Sequence, residues 1–391
     1  MQAARHSSET TWEIFCQVVD NFGDIGVCWR LARDLAARTG SDVRLWVDDW
    51  TVLIRICPAA GALDPVLGGK VAGVELRHWA DPFPHVAPAD VVIEAFACEI
   101  PETHLQAMAA RRPVPVWINL EYLSAENWVA GCHTMASPHA RLPLVKHFFF
   151  PGFDEGTGGL LREPGLLARR DAFRFEVAGR RDWLARRGVV LGEGEIYVSL
   201  FAYEQPRLSG LMQVWAQGEQ RLHVLVPEGR VLGDVAGALS RTGLVAGHRI
   251  REGNLVVHVL PFTDQDGYDE LLWACDLNFV RGEDSFVRAQ WAGAPFVWQI
   301  YPQDENAHFD KLEAFMVRYL AGVAASEAAA FAGFWRAWNG QGDPAAAWPA
   351  FAAVLPELHR HAARWCDDLA RQADLVSRLT KFCSHIRVAA G

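Results

Sequence analysis

No apolar run in this 391-residue chain reaches the length of a membrane span, and the polar start, Met1 to Thr11, lacks the apolar core of a signal peptide. A cytoplasmic protein with no membrane partner is therefore expected. Basic charge is in the minority, with 37 Lys and Arg against 47 Asp and Glu and a formal net charge of −10. That balance argues against nonspecific nucleic-acid binding and favours a basic partner. The eight cysteines form no C-x-x-C pair. Most lie in apolar surroundings, as buried thiols do, which implies a reduced compartment and no zinc site. The fourteen histidines show no H-E-x-x-H, and there is no G-x-S-x-G elbow. The Gly-rich stretch Pro151 to Gly159 lacks the P-loop lysine and precedes no clear helix start, so it reads as a linker or mobile loop.

What is present is a composition able to bury a large core, 51% hydrophobic and only 21% charged. The length is great for one core, so two domains are expected. The 16 tryptophans should be core or cleft walls. Strand-like runs occur at Trp12–Val19, Val43–Val47, Val74–Trp79, Val91–Phe96 and Val114–Ile118. A helix carrying Val27, Leu31 and Leu35 on one stripe should end at Gly40. A second series follows at Ile196–Ala202, Leu222–Val226, Leu255–Leu260, Leu277–Val280 and Phe296–Ile300, with helices at Pro206–Trp215 and Tyr268–Cys275. β-Branched strands alternating with helices imply parallel, doubly wound sheets, whose ligands bind at the carboxyl edge. Ala324 to Leu355, broken by Gly340, Gly342, Pro344 and Pro349, should form only short helices. From Glu357 onward a long final helix or a bent pair is expected. Together these features suggest an α/β protein of the GT-B glycosyltransferase class, with two facing Rossmann-like domains and a catalytic cleft between them.

Two stretches carry candidate chemistry. Arg281-Gly-Glu-Asp-Ser285 lies where a strand gives way to a helix, a junction that offers unpaired N–H groups and a positive dipole end to phosphate. Arg281 adds a forked charged donor. The competing reading makes Asp284 or Ser285 a simple N-cap and Arg281 and Glu283 a surface pair. Asp20 and Asp24, four apart in a Gly-bearing loop, can converge on one small space and act as a base or a cation clamp. Their competing reading is a turn start at Asp20 and a helix cap at Asp24. Phe201, Tyr203, Phe262 and Tyr301 stand near strand ends, where rings stack on a base or line a sugar pocket, or else simply pack in the core. Asp264-Gln-Asp266 resembles a metal-binding D-x-D but sits before a helix and reads as a capping segment.

Read together, Asp20-Asn-Phe-Gly-Asp-Ile-Gly26, Asn119-Leu-Glu-Tyr-Leu-Ser-Ala-Glu126, Arg281-Gly-Glu-Asp-Ser-Phe-Val-Arg288 and Tyr301-Pro-Gln-Asp-Glu-Asn306 resemble the EarP family of bacterial elongation factor P arginine rhamnosyltransferases. The likeness runs from Trp12 into the C-terminal helices and weakens over Leu160–Glu195, Gly229–Gly253 and Ala324–Leu355. It implies an inverting GT-B enzyme of the bacterial cytoplasm that moves L-rhamnose from dTDP-β-L-rhamnose to an arginine in the N-terminal domain of elongation factor P. That modification relieves ribosomes stalled on polyproline. The resemblance implies no metal or other cofactor. It places Phe201, Tyr203, Phe262 and Gln265 around the thymidine, and Arg281, Asp284, Ser285 and Tyr301 near the diphosphate. Glu283 becomes an essential donor-side carboxylate, and Asp20 and Asp24 the essential aspartates of the first domain. We take Asp24 as general base and Asp20 as the residue that orients the guanidinium, although the sequence leaves open which of the two receives the proton. The expected domains are 1–178, a Rossmann-like acceptor side; 179–365, a Rossmann-like nucleotide-sugar side; and 366–391, a helix returning toward the first. The alternatives are a GT-B transferase with another nucleotide sugar or a small-molecule acceptor, and a non-catalytic binding module that keeps the fold.

Overall fold

The computed structural model describes residues 10–20, 22–176, 179–303 and 306–390. Residues 1–9, Asn21, Asp304 and Glu305 of the stretches named above, and position 178 of the expected boundary, lie outside the described residues.

The chain begins with β1 (Trp12–Cys16), α1 (Phe22–Thr39), β2 (Val43–Val47), α2 (Trp50–Ile56), β3 (Gly69–Val71), β4 (Val74–His78), β5 (Val91–Ala95) and α3 (Glu102–Ala110). It continues through β6 (Val116–Leu120), α4 (Val129–Cys132), β7 (Ala136–Pro138) and β8 (Val145–Phe149). The eight strands are ordered β3-β4-β2-β1-β5-β6-β8-β7. All neighbours from β4 to β8 run parallel, and β3 and β7 close the edges antiparallel. Central strands of a parallel sheet are covered on both faces, and every residue of β1, β5 and β6 is buried. Glu13 is buried with them. Its carboxylate accepts from Trp46 Nε1 at 2.6 Å and lies 2.9 Å from His104 Nε2. Burial opposes its ionisation, yet these partners hold its pKa below the ordinary glutamate value.

The second series comprises α5 (Leu166–Phe175), α6 (Gly179–Ala185), β9 (Ile196–Leu200), α7 (Leu208–Gln217), β10 (Leu222–Pro227), α8 (Leu232–Ala238), β11 (Arg249–Glu252) and β12 (Leu255–Leu260). There follow α9 (Gln265–Ala274), β13 (Leu277–Arg281), α10 (Asp284–Ala292), β14 (Phe296–Gln299), α11 (Ala307–Tyr319), α12 (Ala325–Trp338), α13 (Pro344–Ala353), α14 (Leu355–Ala370) and α15 (Leu375–Ala390). The six strands are ordered β11-β12-β10-β9-β13-β14, parallel except at β11. Of the 16 tryptophans, 13 are buried; Trp215, Trp335 and Trp338 are among the largest fully enclosed side chains. Far from being short, α12 runs for 14 residues. Gly340 and Gly342 separate it from α13, which Asp343 caps through Ala345 N at 3.0 Å.

The chain divides into two compact units, one running through Glu163 and joined by Gln372 onward, the other Pro164–Arg371. Sequence alone put these divisions at 178/179 and 365/366. The side chains of α5 explain the earlier position: Arg170 Nη1 donates to Trp291 O at 2.9 Å and Arg174 Nε to Trp273 O at 3.2 Å, so α5 belongs with α9 and α10. The final helical region is a pair split between units, with α14 in the second and α15 in the first. The Gly-rich stretch is neither linker nor mobile loop but a packed element of the first unit. Gly158 N donates to Phe150 O at 2.7 Å, Gln372 Nε2 to Phe153 O at 2.9 Å and Arg378 Nη1 to Asp154 O at 2.7 Å. A Cβ on Gly158 would stand 2.5 Å from the Phe149 ring, so close packing rather than phosphate explains that glycine.

A histidine pair gives the second unit a pH dependence. His223 Nδ1 and His258 Nε2 are 2.9 Å apart on β10 and β12, with Tyr197 stacked on His223. Burial, then the neighbouring His223 and Arg249, lower the pKa of His258 from 6.5 to about 4, and burial also lowers that of His223. Below pH 6.5 the unfolded chain binds the extra proton and the folded chain does not, so stability is lost as pH falls from 6.5 toward 4. After allowance for solvent screening, the loss should be on the order of 1–2 kcal/mol. Urea midpoints measured across that interval should fall, and the fall should be smaller in His258→Gln.

Candidate active site

Each sheet reverses its winding beside one central strand. In the first, the chain moves from β1 outward to β2 on one side and later to β5 on the other; in the second, β9 is flanked by β10 and β13. Loops leaving the carboxyl ends of such strands diverge and open a crevice. The carboxyl end of β1 leads to Asp20 and Asp24, and those of β9 and β13 lead to Phe201, Tyr203 and Arg281 through Ser285.

In the first unit the sequence turns tightly after β1. Gly23 N donates to Asp20 O at 2.6 Å, so Asp20 does begin a turn. Asp24 lies in the first turn of α1 and is 1% exposed. Its Oδ2 accepts from Val19 N and Asp20 N, both at 2.8 Å, and its Oδ1 accepts from the Tyr122 hydroxyl at 3.0 Å. Asp24 thus binds the loop before α1 as well as lying in its first turn. The two aspartates are brought together through this backbone contact. Gly23 leaves room for the Asp20 carboxylate: a Cβ there would lie 2.7 Å from Asp20 Oδ2 and force that side chain to shift.

Sequence reasoning assigned no role to the neighbours that complete this edge. Phe96 stacks on Tyr122 with ring centroids 4.3 Å apart and planes at 15°. Asn119 Nδ2 donates to Glu121 Oε1 at 2.6 Å, and Ala97 N donates to Asn119 Oδ1 at 3.0 Å. The signal for Tyr122 and Glu121 was the Asn119–Glu126 motif itself; nothing local marked Phe96.

In the second unit β13 ends at Arg281, and Gly282, at φ 61°, turns the chain into α10. Trp298 Nε1 donates to Gly282 O at 2.8 Å, and Ser285 Oγ accepts from Arg281 N at 3.1 Å while its hydroxyl donates to Arg281 O. Ser285 is therefore a backbone brace for the junction. Glu283 occupies the N-cap position without a side-chain capping bond. Gln265 Nε2 reaches Asp284 Oδ2 at 3.4 Å, joining the start of α9 to that of α10. The Arg281 guanidinium, 4% exposed with its residue, is 4.7 Å from the Phe201 ring centroid and 4.5 Å from that of Tyr203. Tyr203 meets Tyr301 edge-on at 5.6 Å. Phe262, just after β12, is half-buried, and its N lies 3.5 Å from Glu228 Oε2. Asp264 accepts from Gly267 N at 2.9 Å and caps α9, the role its place before a helix suggested. Beneath the junction, Arg288 makes a buried two-pronged pair with Asp269 at 2.8 and 2.6 Å, and Phe286 stacks on Trp298 at 3.9 Å.

Comparison with known proteins assigns the class and then the family. Phytolacca americana UGT2 shares the fold at 12% identity and a TM-score of 0.51, covering 97% of this chain and 99% of its own. The architecture is that of the GT-B fold. A family profile described as Elongation-Factor P (EF-P) rhamnosyltransferase EarP matches residues 12–384. This chain belongs to the EarP family. Protein-arginine rhamnosyltransferases of Pseudomonas putida and Pseudomonas aeruginosa are 51% identical over 374 residues and 53% over 373, covering 96% and 95% of this chain and 98% of each relative. A solved structure described as the structural basis for EarP-mediated arginine glycosylation of translation elongation factor EF-P aligns with a TM-score of 0.69 at 38% identity. It covers 96% of this chain and 99% of its own.

The Asp269–Arg288 pair tests how α10 is held. Removing one partner of a buried pair strands the other charge, at a cost of about 3–5 kcal/mol. Asp269→Asn should lower the urea midpoint of the second unit accordingly; an unchanged midpoint would show that the pair does not anchor α10.

Proposed function

We propose that this protein transfers L-rhamnose from dTDP-β-L-rhamnose to an arginine side chain in the N-terminal domain of elongation factor P, with inversion at the anomeric carbon and without a metal, in the bacterial cytoplasm. What carries this reading is the near full-length likeness to protein-arginine rhamnosyltransferases. The placement of Asp20 and Asp24 at one carboxyl edge and of Arg281–Ser285 at another supports it.

In this reading the second unit holds the donor. Phe201, Tyr203, Phe262 and Gln265 take the thymidine, and the N–H groups at the start of α10 receive the diphosphate. Arg281, lodged against Phe201 and Tyr203, keeps the aromatic surface in place and adds positive charge beneath the departing phosphate. Asp284 and Tyr301 border the same group, and Glu283, at the N-cap, faces the sugar side. The first unit acts on the acceptor. A guanidinium is a poor nucleophile because its lone pair is delocalised and its pKa exceeds ~12. Asp20 orients the fork while Asp24 Oδ1, which accepts one hydrogen bond and has capacity for a second, takes the proton. The guanidinium nitrogen bonds to C1 of rhamnose from the face opposite the diphosphate. The C1–O bond breaks, and its electron pair leaves on the phosphate oxygen.

Incubation with dTDP-rhamnose and cognate elongation factor P, read by intact mass, should add one deoxyhexose to the factor. Absence of that product would refute the reading. Asp24→Asn should lose nearly all turnover while its calorimetric affinity for dTDP stays close to wild type. Arg281→Ala should weaken dTDP binding, since a charge-assisted contact is lost. Transfer by Asp24→Asn at the wild-type rate would remove Asp24 as the base.

A further inference from the structure

The Tyr122 hydroxyl is the one side-chain donor to Asp24 among the described residues, and it reaches the oxygen left after the two backbone N–H groups have taken Oδ2. Tyr122 is half-buried and is itself held from several directions. Its ring lies flat on Phe96, whose centroid is 4.3 Å away. Phe96 and the next residue, Ala97, have φ of 59° and 57°, a left-handed conformation that non-glycine residues adopt at a cost and that clusters at functional sites. The fold holds that strained pair in place: Phe96 N donates to Leu120 O at 2.7 Å, and Ala97 N to Asn119 Oδ1 at 3.0 Å. Glu121 N donates to Phe149 O at 3.0 Å, tying the segment of Tyr122 to β8 as well. A simple packing aromatic would need neither the strained turn beneath it nor a hydroxyl aimed at a buried carboxylate.

We propose that Tyr122, buttressed by Phe96, is a positioning residue for glycosyl transfer: its hydroxyl fixes the plane of the Asp24 carboxylate, so that the second lone pair of Oδ1 points at the acceptor nitrogen. This rests on the reading of Asp24 as the base given above. In this proposal Tyr122 acts through Asp24, to which its hydroxyl donates, and not on the reacting atoms themselves. Loss of the hydroxyl leaves Oδ1 without a side-chain donor among the described residues and loosens the carboxylate plane, while the backbone contacts to Oδ2 still keep Asp24 in the loop. The transfer step is then slowed, and donor binding, carried by the second unit, is left alone.

The test is single-turnover transfer to elongation factor P by Tyr122→Phe, Phe96→Leu, Asp24→Asn and the double variant Tyr122→Phe/Asp24→Asn, with dTDP titrated calorimetrically into each. Tyr122→Phe should lower the transfer rate about 10- to 100-fold, the scale of a misplaced reacting group, with dTDP affinity and melting temperature close to wild type. Phe96→Leu, which keeps the hydroxyl but removes its support, should fall between. If Tyr122 works through Asp24, the double variant is no slower than Asp24→Asn alone. Wild-type transfer by Tyr122→Phe, or a further multiplicative loss in the double variant, would overturn the proposal. Failure of wild-type transfer itself, or full activity of Asp24→Asn, would instead strike the underlying functional reading.

Discussion

Parallel strands all leave their sheet at the same edge, and that constraint governs where this protein can do chemistry. A chain running β-α-β must cross back on one face of the sheet before pairing again. When it begins on one side of a central strand and resumes on the other, the loops at that strand's carboxyl end part company. This happens twice here, beside β1 and beside β9. Every candidate residue that the structure brings together lies at one of these two edges or on the start of the helix that follows.

Asp24 and Ser285, one at each edge, are held mainly by backbone. Asp24 is held by two peptide N–H groups, and Ser285 binds both the N–H and the carbonyl of Arg281. Hydrogen bonds to a charged group are among the stronger single contributions to a fold, about 1.5–3 kcal/mol each. Used in this way, they fix candidate side chains to the ends of strands and the starts of helices. The two-pronged Asp269–Arg288 pair and the Phe286–Trp298 stack do the same one layer deeper, fixing α10 itself. Such an arrangement favours reaction geometry that is set before substrate arrives.

Much of this architecture was legible in the sequence, because buried parallel strands are written in near-continuous β-branched residues. Val43–Val47 and Leu255–Leu260 coincide with β2 and β12. The strand expected at Val114–Ile118 begins instead at Val116, since Pro113 and Pro115 lack the N–H a ladder needs. β8 escaped notice because Lys146 and His147 interrupt its apolar run, and Lys146 is there to meet the buried Glu94 at 2.5 Å. The aspartate loop and the strand-to-helix junction could be found from spacing and glycine placement. Tyr122 could not be given its role that way, because its bond to Asp24 joins residues 98 positions apart. Nor does any local pattern reveal that Arg281 would lodge against two rings rather than stand in solvent.

The Gly-rich loop after β8 ties this topology to the order of synthesis. Its carbonyls are bound by Gln372 and Arg378, and Leu375 N donates to Leu160 O at 2.9 Å. Those donors emerge from the ribosome only after the whole of the second unit has been made. The first unit, although translated first, therefore lacks its closing helix through most of elongation, and the intervening unit can fold as a complete body while its predecessor waits. The helix that completes the first unit is made only after the second unit has been made.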